Sequence, residues 1–209
     1  MVGDNKRQNM IDFTIGVLAL QGSFQEHIDT LHKLGVKTLE VRLPEQLEKV
    51  DGLIIPGGES TTIGKLAIDF GLFEKLKDFG QKKAIWGTCA GAIFLSKDAH
   101  RQQPLLELMD ITVERNAYGR QIASFETDLE FPALQEISED DSLFHGVFIR
   151  APLIESVKKD AEILSTLPDG RIVAAQQGYL MVTAFHPELT EDNRVHRYFL
   201  HLVRKALGH

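Results

Sequence analysis

The chain of 209 residues holds a single cysteine, Cys89. One thiol excludes an intramolecular disulfide framework and a cysteine-rich zinc site, and it fits a reducing compartment. No apolar run approaches the roughly 20 residues needed to span a bilayer. Basic residues are scattered rather than massed. With a formal net charge of −7, this argues against a nucleic-acid or acidic-membrane partner. Neither G-x-G-x-x-G nor G-x-x-x-x-G-K-[ST] occurs, so no loop is shaped to cradle a nucleotide. The first ten residues, Met1 to Met10, lack the apolar h-region of a signal peptide. They read as a disordered leader or an appended extension, with Met10 a candidate start. Internal repeats, low-complexity stretches and domain-separating linkers are also missing. Residues 11–209 therefore read as one cytoplasmic domain, long enough to bury a core without disulfides.

What is present is an alternation. Phe13 to Leu20 is a continuous apolar run, as expected of a strand buried on both faces. Ser23 then offers a cap for a helix over Phe24 to Leu34, whose apolar residues fall at helical spacing and which Gly35 closes. Val36 to Val41 and Asp51 to Ile55 follow as strands, Thr61 to Phe70 and Leu72 to Phe79 as helices, and Ala84 to Trp86 as a fourth strand. Strands alternating with helices at this spacing predict an α/β fold with a mostly parallel central sheet, helices on both faces, in three flavodoxin-like layers. Later strands are predicted at Ile111 to Glu114, Ala123 to Glu130, Gly146 to Ile149, Arg171 to Ala175 and Tyr179 to Phe185, with a hairpin around Gln176-Gln177-Gly178. An amphipathic helix from Glu191 to about Leu207 closes the chain.

Three segments carry candidate chemistry. Gly87-Thr88-Cys89-Ala90-Gly91 lies between two apolar runs. It has the form of a nucleophile elbow, where small neighbours let a strand turn sharply into a helix and expose one side chain. The helix start beside the sulfur favours thiolate, and its free N–H groups, that of Ala90 first, can face a developing oxyanion. Phe185-His186-Pro187-Glu188 follows the last predicted strand. In an extended segment residues i and i+2 share a face, about 6–7 Å apart, so Glu188 can orient His186 as the base for Cys89. Pro56-Gly57-Gly58-Glu59-Ser60 ends the third strand. Its glycines can supply the other half of an oxyanion hole; the ordinary reading is a strand-to-helix turn capped by Ser60. All three segments come directly after strands of one sheet, and open α/β sheets bind ligands outside the carboxyl ends of their strands.

At these residues the chain resembles the class I, or triad, glutamine amidotransferases. Gly16 to Gly22, Val113-Glu114-Arg115-Asn116 with Gly119-Arg120-Gln121, Phe148-Ile149-Arg150-Ala151-Pro152 and His186 to Asp192 bring it nearer to one family within them. That family is the glutaminase subunits of pyridoxal 5′-phosphate synthases. The resemblance implies hydrolysis of L-glutamine, with Cys89 as nucleophile, His186 as base and Glu188 as its orienting partner. It implies glutamine contacts from Gly57, Gly58, Glu59, Arg115, Ile149 and Arg150, and an oxyanion hole from Gly58 and Ala90. It implies neither cofactor nor metal. The partner it implies is a barrel-shaped synthase subunit in a large hetero-oligomer, which activates the glutaminase on docking. The segment Gln21 to His27 is our expected docking element. The rival readings are an amidotransferase serving imidazole glycerol phosphate or a nucleotide, a non-catalytic regulatory subunit, and a cysteine peptidase.

Overall fold

The computed structural model describes residues 13–115 and 124–208. Met1 to Met10, Asn116, Gly119 to Gln121 and the start of the strand predicted from Ala123 lie outside them. The first half runs β1 (Thr14–Leu18), α1 (Phe24–Lys33), β2 (Lys37–Val41), the single turn α2 (Pro44–Leu47), β3 (Gly52–Ile55), α3 (Ser60–Asp69), α4 (Phe73–Gly80), β4 (Ala84–Thr88) and α5 (Ala90–Leu95). The second half runs β5 (Ser96–Asp98), β6 (Met109–Glu114), β7 (Ser124–Leu129), β8 (Phe144–Ile149), β9 (Leu153–Val157), β10 (Glu162–Thr166), β11 (Ile172–Gln177), β12 (Leu180–Thr183) and α6 (Arg194–Ala206). Two 3-10 turns, Pro132–Glu136 and Pro187–Leu189, interrupt it.

Among the described residues ten strands join one sheet, in the order β2-β1-β3-β4-β12-β11-β9-β6-β5, with β10 paired to β11. The first five in that order are mutually parallel, as the βαβ spacing predicts. Beyond β12 the pairing is antiparallel, β12 to β11 to β9 to β6. β7 and β8 form a separate antiparallel ribbon.

Alternation along the central strands divides the core between two faces. Ile15, Val17, Ile54, Trp86 and Met181 point to the face covered by α1 and α6. Leu18, Leu53, Ile55, Ile85 and Val182 point to the face covered by α3, α4 and α5. No helix among the described residues is long and apolar enough to cross a membrane.

α6 begins at Arg194, three residues later than its apolar pattern predicts. The Arg194 N–H donates to the Asp192 carboxylate at 2.9 Å, and that local bond competes with an earlier helix start. Because β1, β3, β4 and β12 are neighbours and parallel, their carboxyl ends lie side by side, and the loops that leave them share one crevice.

Candidate active site

The sharpest feature of that crevice is the join between β4 and α5. Cys89 stands between them with φ +48° and ψ −102°. A side-chain-bearing residue in such a conformation costs about 1–3 kcal/mol and persists only where its surroundings over-determine it. Here the Cys89 N–H is tied to the Thr183 carbonyl at 2.8 Å. On the other side, a Cβ on Gly91 would stand 2.1 Å from the Ile55 carbonyl oxygen, so only glycine lets the helix pack this close to β3. Ala92 and Ile93 take the Cys89 carbonyl as the first acceptor of α5. The N–H groups of Ala90 and Gly91 therefore belong to the orphan donors of its first turn.

His186 reaches the same point from the end of β12. Its N–H donates to the Val147 carbonyl at 2.8 Å, which anchors it to the β7–β8 ribbon. The ring Nδ1 lies 2.8 Å from Glu188 Oε1, which leaves Nε2 free to serve Cys89. The sequence reading paired His186 and Glu188 through extended backbone. The structure pairs them through the 3-10 turn Pro187–Leu189, with Pro187 in its first position. Proline fixes the φ that such a turn needs, and the turn draws the two side chains closer than an extended segment would. Burial works to lower the His186 value, but the hydrogen bonds to Cys89 and Glu188 outweigh it and push it up to about 10. Burial works to raise the Glu188 carboxyl, but the neighbouring His27 ring and the His186 hydrogen bond hold it down at about 2. The arrangement is an imidazolium braced between a carboxylate and a sulfur.

The loop leaving β3 closes over this pair. A Cβ on Gly57 would lie 2.6 Å from His186 Cε1 and 3.4 Å from Cys89 Cβ. The Gly57 carbonyl accepts the Ser23 N–H at 3.0 Å, and in a trans peptide the Gly58 N–H then points away from Ser23. Gln21 Oε1 takes the Glu59 N–H at 2.7 Å. The segment following β1 thus sets the backbone of the glycine loop.

The remaining predicted residues divide into two sets. Glu59 and Arg115 meet, Nη2 to Oε1 at 2.5 Å, and Arg115 also donates to Thr61 Oγ1 at 3.3 Å. Burial works to raise the Glu59 carboxyl, but hydrogen bonds from Thr62 and Thr61 and the Arg115 charge hold it at about 2. Glu59 is also the N-cap of α3, accepting from the Thr61 and Thr62 N–H groups, so the ordinary alternative of a turn capped by Ser60 does not hold. A longer side chain one residue earlier reaches both donors. Ile149 ends β8 and Arg150 follows it, and the Ile149 carbonyl lies 4.0 Å from Cys89 Sγ. Arg150 is exposed and has φ +45°.

Sequence reasoning missed two contacts behind the triad. Ser23, expected to cap α1, makes no side-chain cap and instead donates its hydroxyl to Glu188 Oε1 at 3.0 Å. His27 lies fully buried with Nε2 3.5 Å from Glu188 Oε2. The signal for His27 was available: it falls in the apolar stripe of α1, between Phe24 and Ile28 and in step with Leu31.

Residues 17–205 match the model of the SNO glutamine amidotransferase family. A pyridoxal 5′-phosphate synthase subunit PdxT from Herpetosiphon aurantiacus is 57% identical over 194 residues, spanning 90% of this chain and all of the relative. The protein of the same name from Moorella thermoacetica is 53% identical, spanning 90% of this chain and 98% of its own. A crystal structure described as a glutamine amidotransferase superposes with a TM-score of 0.84 at 48% identity, covering 90% of this chain and 98% of that one.

Proposed function

The chain belongs to the SNO glutamine amidotransferase family, and from that premise we propose that it hydrolyses L-glutamine to glutamate and ammonia, as the glutaminase subunit of a pyridoxal 5′-phosphate synthase. The observation that carries this reading is the meeting of Cys89, His186 and Glu188 at the carboxyl ends of β4 and β12, beside the start of α5. The Cys89 thiolate attacks the side-chain amide carbon of glutamine, and the charge that develops on the amide oxygen is met by the Ala90 and Gly58 N–H groups. The tetrahedral species collapses as the His186 imidazolium gives its proton to the departing nitrogen. Ammonia leaves, and a γ-glutamyl thioester stays on Cys89. His186, now neutral, takes a proton from water, whose oxygen attacks the thioester and frees glutamate. Glu188 holds the imidazole in the tautomer that both halves require.

Glu59 and Arg115 bind the α-amino and α-carboxylate groups of glutamine, with backbone contacts from Gly57 and Ile149 and Arg150 at the rim. A guanidinium suits a carboxylate because two parallel N–H groups match its two oxygens. The partner is another subunit of the synthase that the relatives' names mention, barrel-shaped as the family resemblance implies. Free ammonia in neutral water becomes ammonium and loses its nucleophilicity, so delivery needs a shielded path to that partner. Docking near Gln21 to His27 is favoured because Gln21 and Ser23 hold the glycine loop. The single thiol fits a reducing compartment, which supports a cytoplasmic location for the complex.

The test is glutamate release from glutamine, with and without the barrel subunit, using Cys89→Ala as the blank. Release that the barrel stimulates and Cys89→Ala abolishes is the expected result. Release indifferent to the barrel would point to another acceptor, and no release in either condition would overturn the enzyme reading.

A further inference from the structure

Glu188 has two carboxylate oxygens, and only one is accounted for by the triad. Oε1 accepts from His186 Nδ1 and from Ser23 Oγ. Oε2 is buried and has no hydrogen-bond partner. An oxygen left so is costly, and the imidazole of His27 stands 3.5 Å away with its side chain, like that of Glu188, wholly out of solvent. His27 is in turn held from behind through Nδ1, 3.0 Å from His196 Nε2, while its Nε2 also lies 3.3 Å from Thr88 Oγ1. The Trp86 ring packs edge-on against both histidines, at 5.3 Å and 4.8 Å between centroids.

The tautomer of His27 follows from two independent constraints. Were the proton on Nδ1, it would go to His196 Nε2, and His196 would carry its own proton on Nδ1. That atom is buried without a partner, and an orphaned N–H is the rarer and costlier kind. The Nδ1 tautomer would also aim a lone pair from His27 at the carboxylate. With the proton on Nε2, His196 donates to His27 Nδ1, the orphan at His196 is only a lone pair, and the single N–H faces Thr88 Oγ1 and Glu188 Oε2 together. Both constraints select the same state. Burial lowers His27 despite the pull of Glu188, and lowers His196 further, so both rings are neutral at neutral pH. A neutral donor orients the carboxylate without drawing its charge away from His186. The groups that face His27 are Glu188, His186, His196 and Thr88, together with Glu26 on its own helix.

We propose that His27 is a positioning residue for glutamine hydrolysis: backed by His196, it presents its Nε2–H to the outer oxygen of Glu188 and fixes the plane in which Oε1 meets His186. This rests on the glutaminase reading. Ser23 and His27 are four residues apart at the start of α1, so one helical face reaches both oxygens of the carboxylate.

The experiment measures glutamate release by wild type, His27→Leu and His27→Gln with the barrel subunit saturating, over a range of pH. Leucine removes the donor, while glutamine keeps an amide N–H near the position of Nε2. Small displacements of a catalytic group cost up to about a hundredfold, so His27→Leu should lower kcat by about ten- to a hundredfold with KM for glutamine nearly unchanged. Its pH profile should shift toward a lower His186 value, and His27→Gln should recover most of kcat. A leucine variant with the wild-type kcat and profile overturns the proposal, as does equal loss in both variants. Nitrogen-15 histidine NMR of the wild-type chain judges the point without either variant: His27 protonated on Nε2 and neutral supports it, and protonation on Nδ1 overturns it. Wild-type chain that releases no glutamate above the Cys89→Ala blank sinks the glutaminase reading instead, and the NMR result stands apart from that failure.

Discussion

The two faces of the central sheet are equally buried and differently made. Under α3, α4 and α5 the core is mainly aliphatic, built from Leu53, Ile55, Leu76, Ile85, Ile93 and Val182 with Phe79 and Phe94 among them. The buried hydroxyls on that side satisfy local backbone or loop groups, as Ser96 does with the Ile93 carbonyl at 2.8 Å. Under α1 and α6 the core is aromatic and threaded with polar atoms. Trp86 Nε1 donates to Thr183 Oγ1 at 3.2 Å, His27 and His196 lie between the helices and β4, and Glu188 closes the series. One face supports the crevice by packing alone. The other supports it by packing and by a chain of polar groups that ends at the Glu188 carboxylate. Buried polar groups of this kind are costly unless satisfied, and their concentration on one face marks where orientation matters.

Three substitutions or conditions sharpen or break this contrast. Glu188→Gln, at the head of the polar series, should lower kcat by roughly 10³–10⁴, because an amide can hold His186 in the wrong tautomer. Steady-state kinetics with the barrel subunit present would read it, and a loss below tenfold would mean the carboxylate is not what orients the ring. Leu76→Ala on the aliphatic face should destabilise the fold by about 2–5 kcal/mol through the cavity it leaves, yet leave kcat per folded molecule unchanged. Denaturant unfolding and active-site-normalised kinetics together test this, and a matching fall in kcat would erase the division between the faces.

The smallest effect is on acid stability. His27 and His196 are held below their ordinary value of 6.5 in the fold. Below that pH the unfolded chain binds protons that the folded chain refuses, so stability should fall as pH drops, by at most about 1.4 kcal/mol per pH unit for each proton. Glu188, at about 2 against an ordinary 4.5, adds its own loss only under more acid conditions. His186 has the opposite sign: raised to about 10, its contribution is present below 6.5 and is lost as pH rises toward 10. His196→Leu should flatten the melting-temperature profile between about pH 7 and 5. Parallel profiles for the two proteins would show that the buried rings do not set it.

Much of this was legible in residue patterns. Continuous apolar runs such as Thr14–Leu18 and Gly52–Ile55 announce strands covered on both faces, and small residues around Cys89 announce the elbow. β9 and β10 were not foreseen, because Leu153–Val157 and Glu162–Thr166 are short, half-exposed antiparallel strands whose order comes from pairing rather than from their own pattern. The triad residues could be named, but not the backbone that joins them. Spacing of two suggested a strand, whereas Pro187 begins a tight turn. Ser23 has the chemistry of a helix cap and is used as a donor to Glu188, a choice made by the arrival of a residue 165 positions away. His196 falls in the apolar stripe of α6, in step with Phe199 and Val203, but its partner could not be read, since that depends on meeting His27 across the core.

Having one thiol turns the protein into its own gauge. Cys89 is only 8% exposed and is the sole cysteine of the chain, so every equivalent of a thiol-specific reagent taken up counts one crevice. The rate of uptake reads how often the crevice above that sulfur opens, with no background from other sulfhydryls and no residue to be removed beforehand.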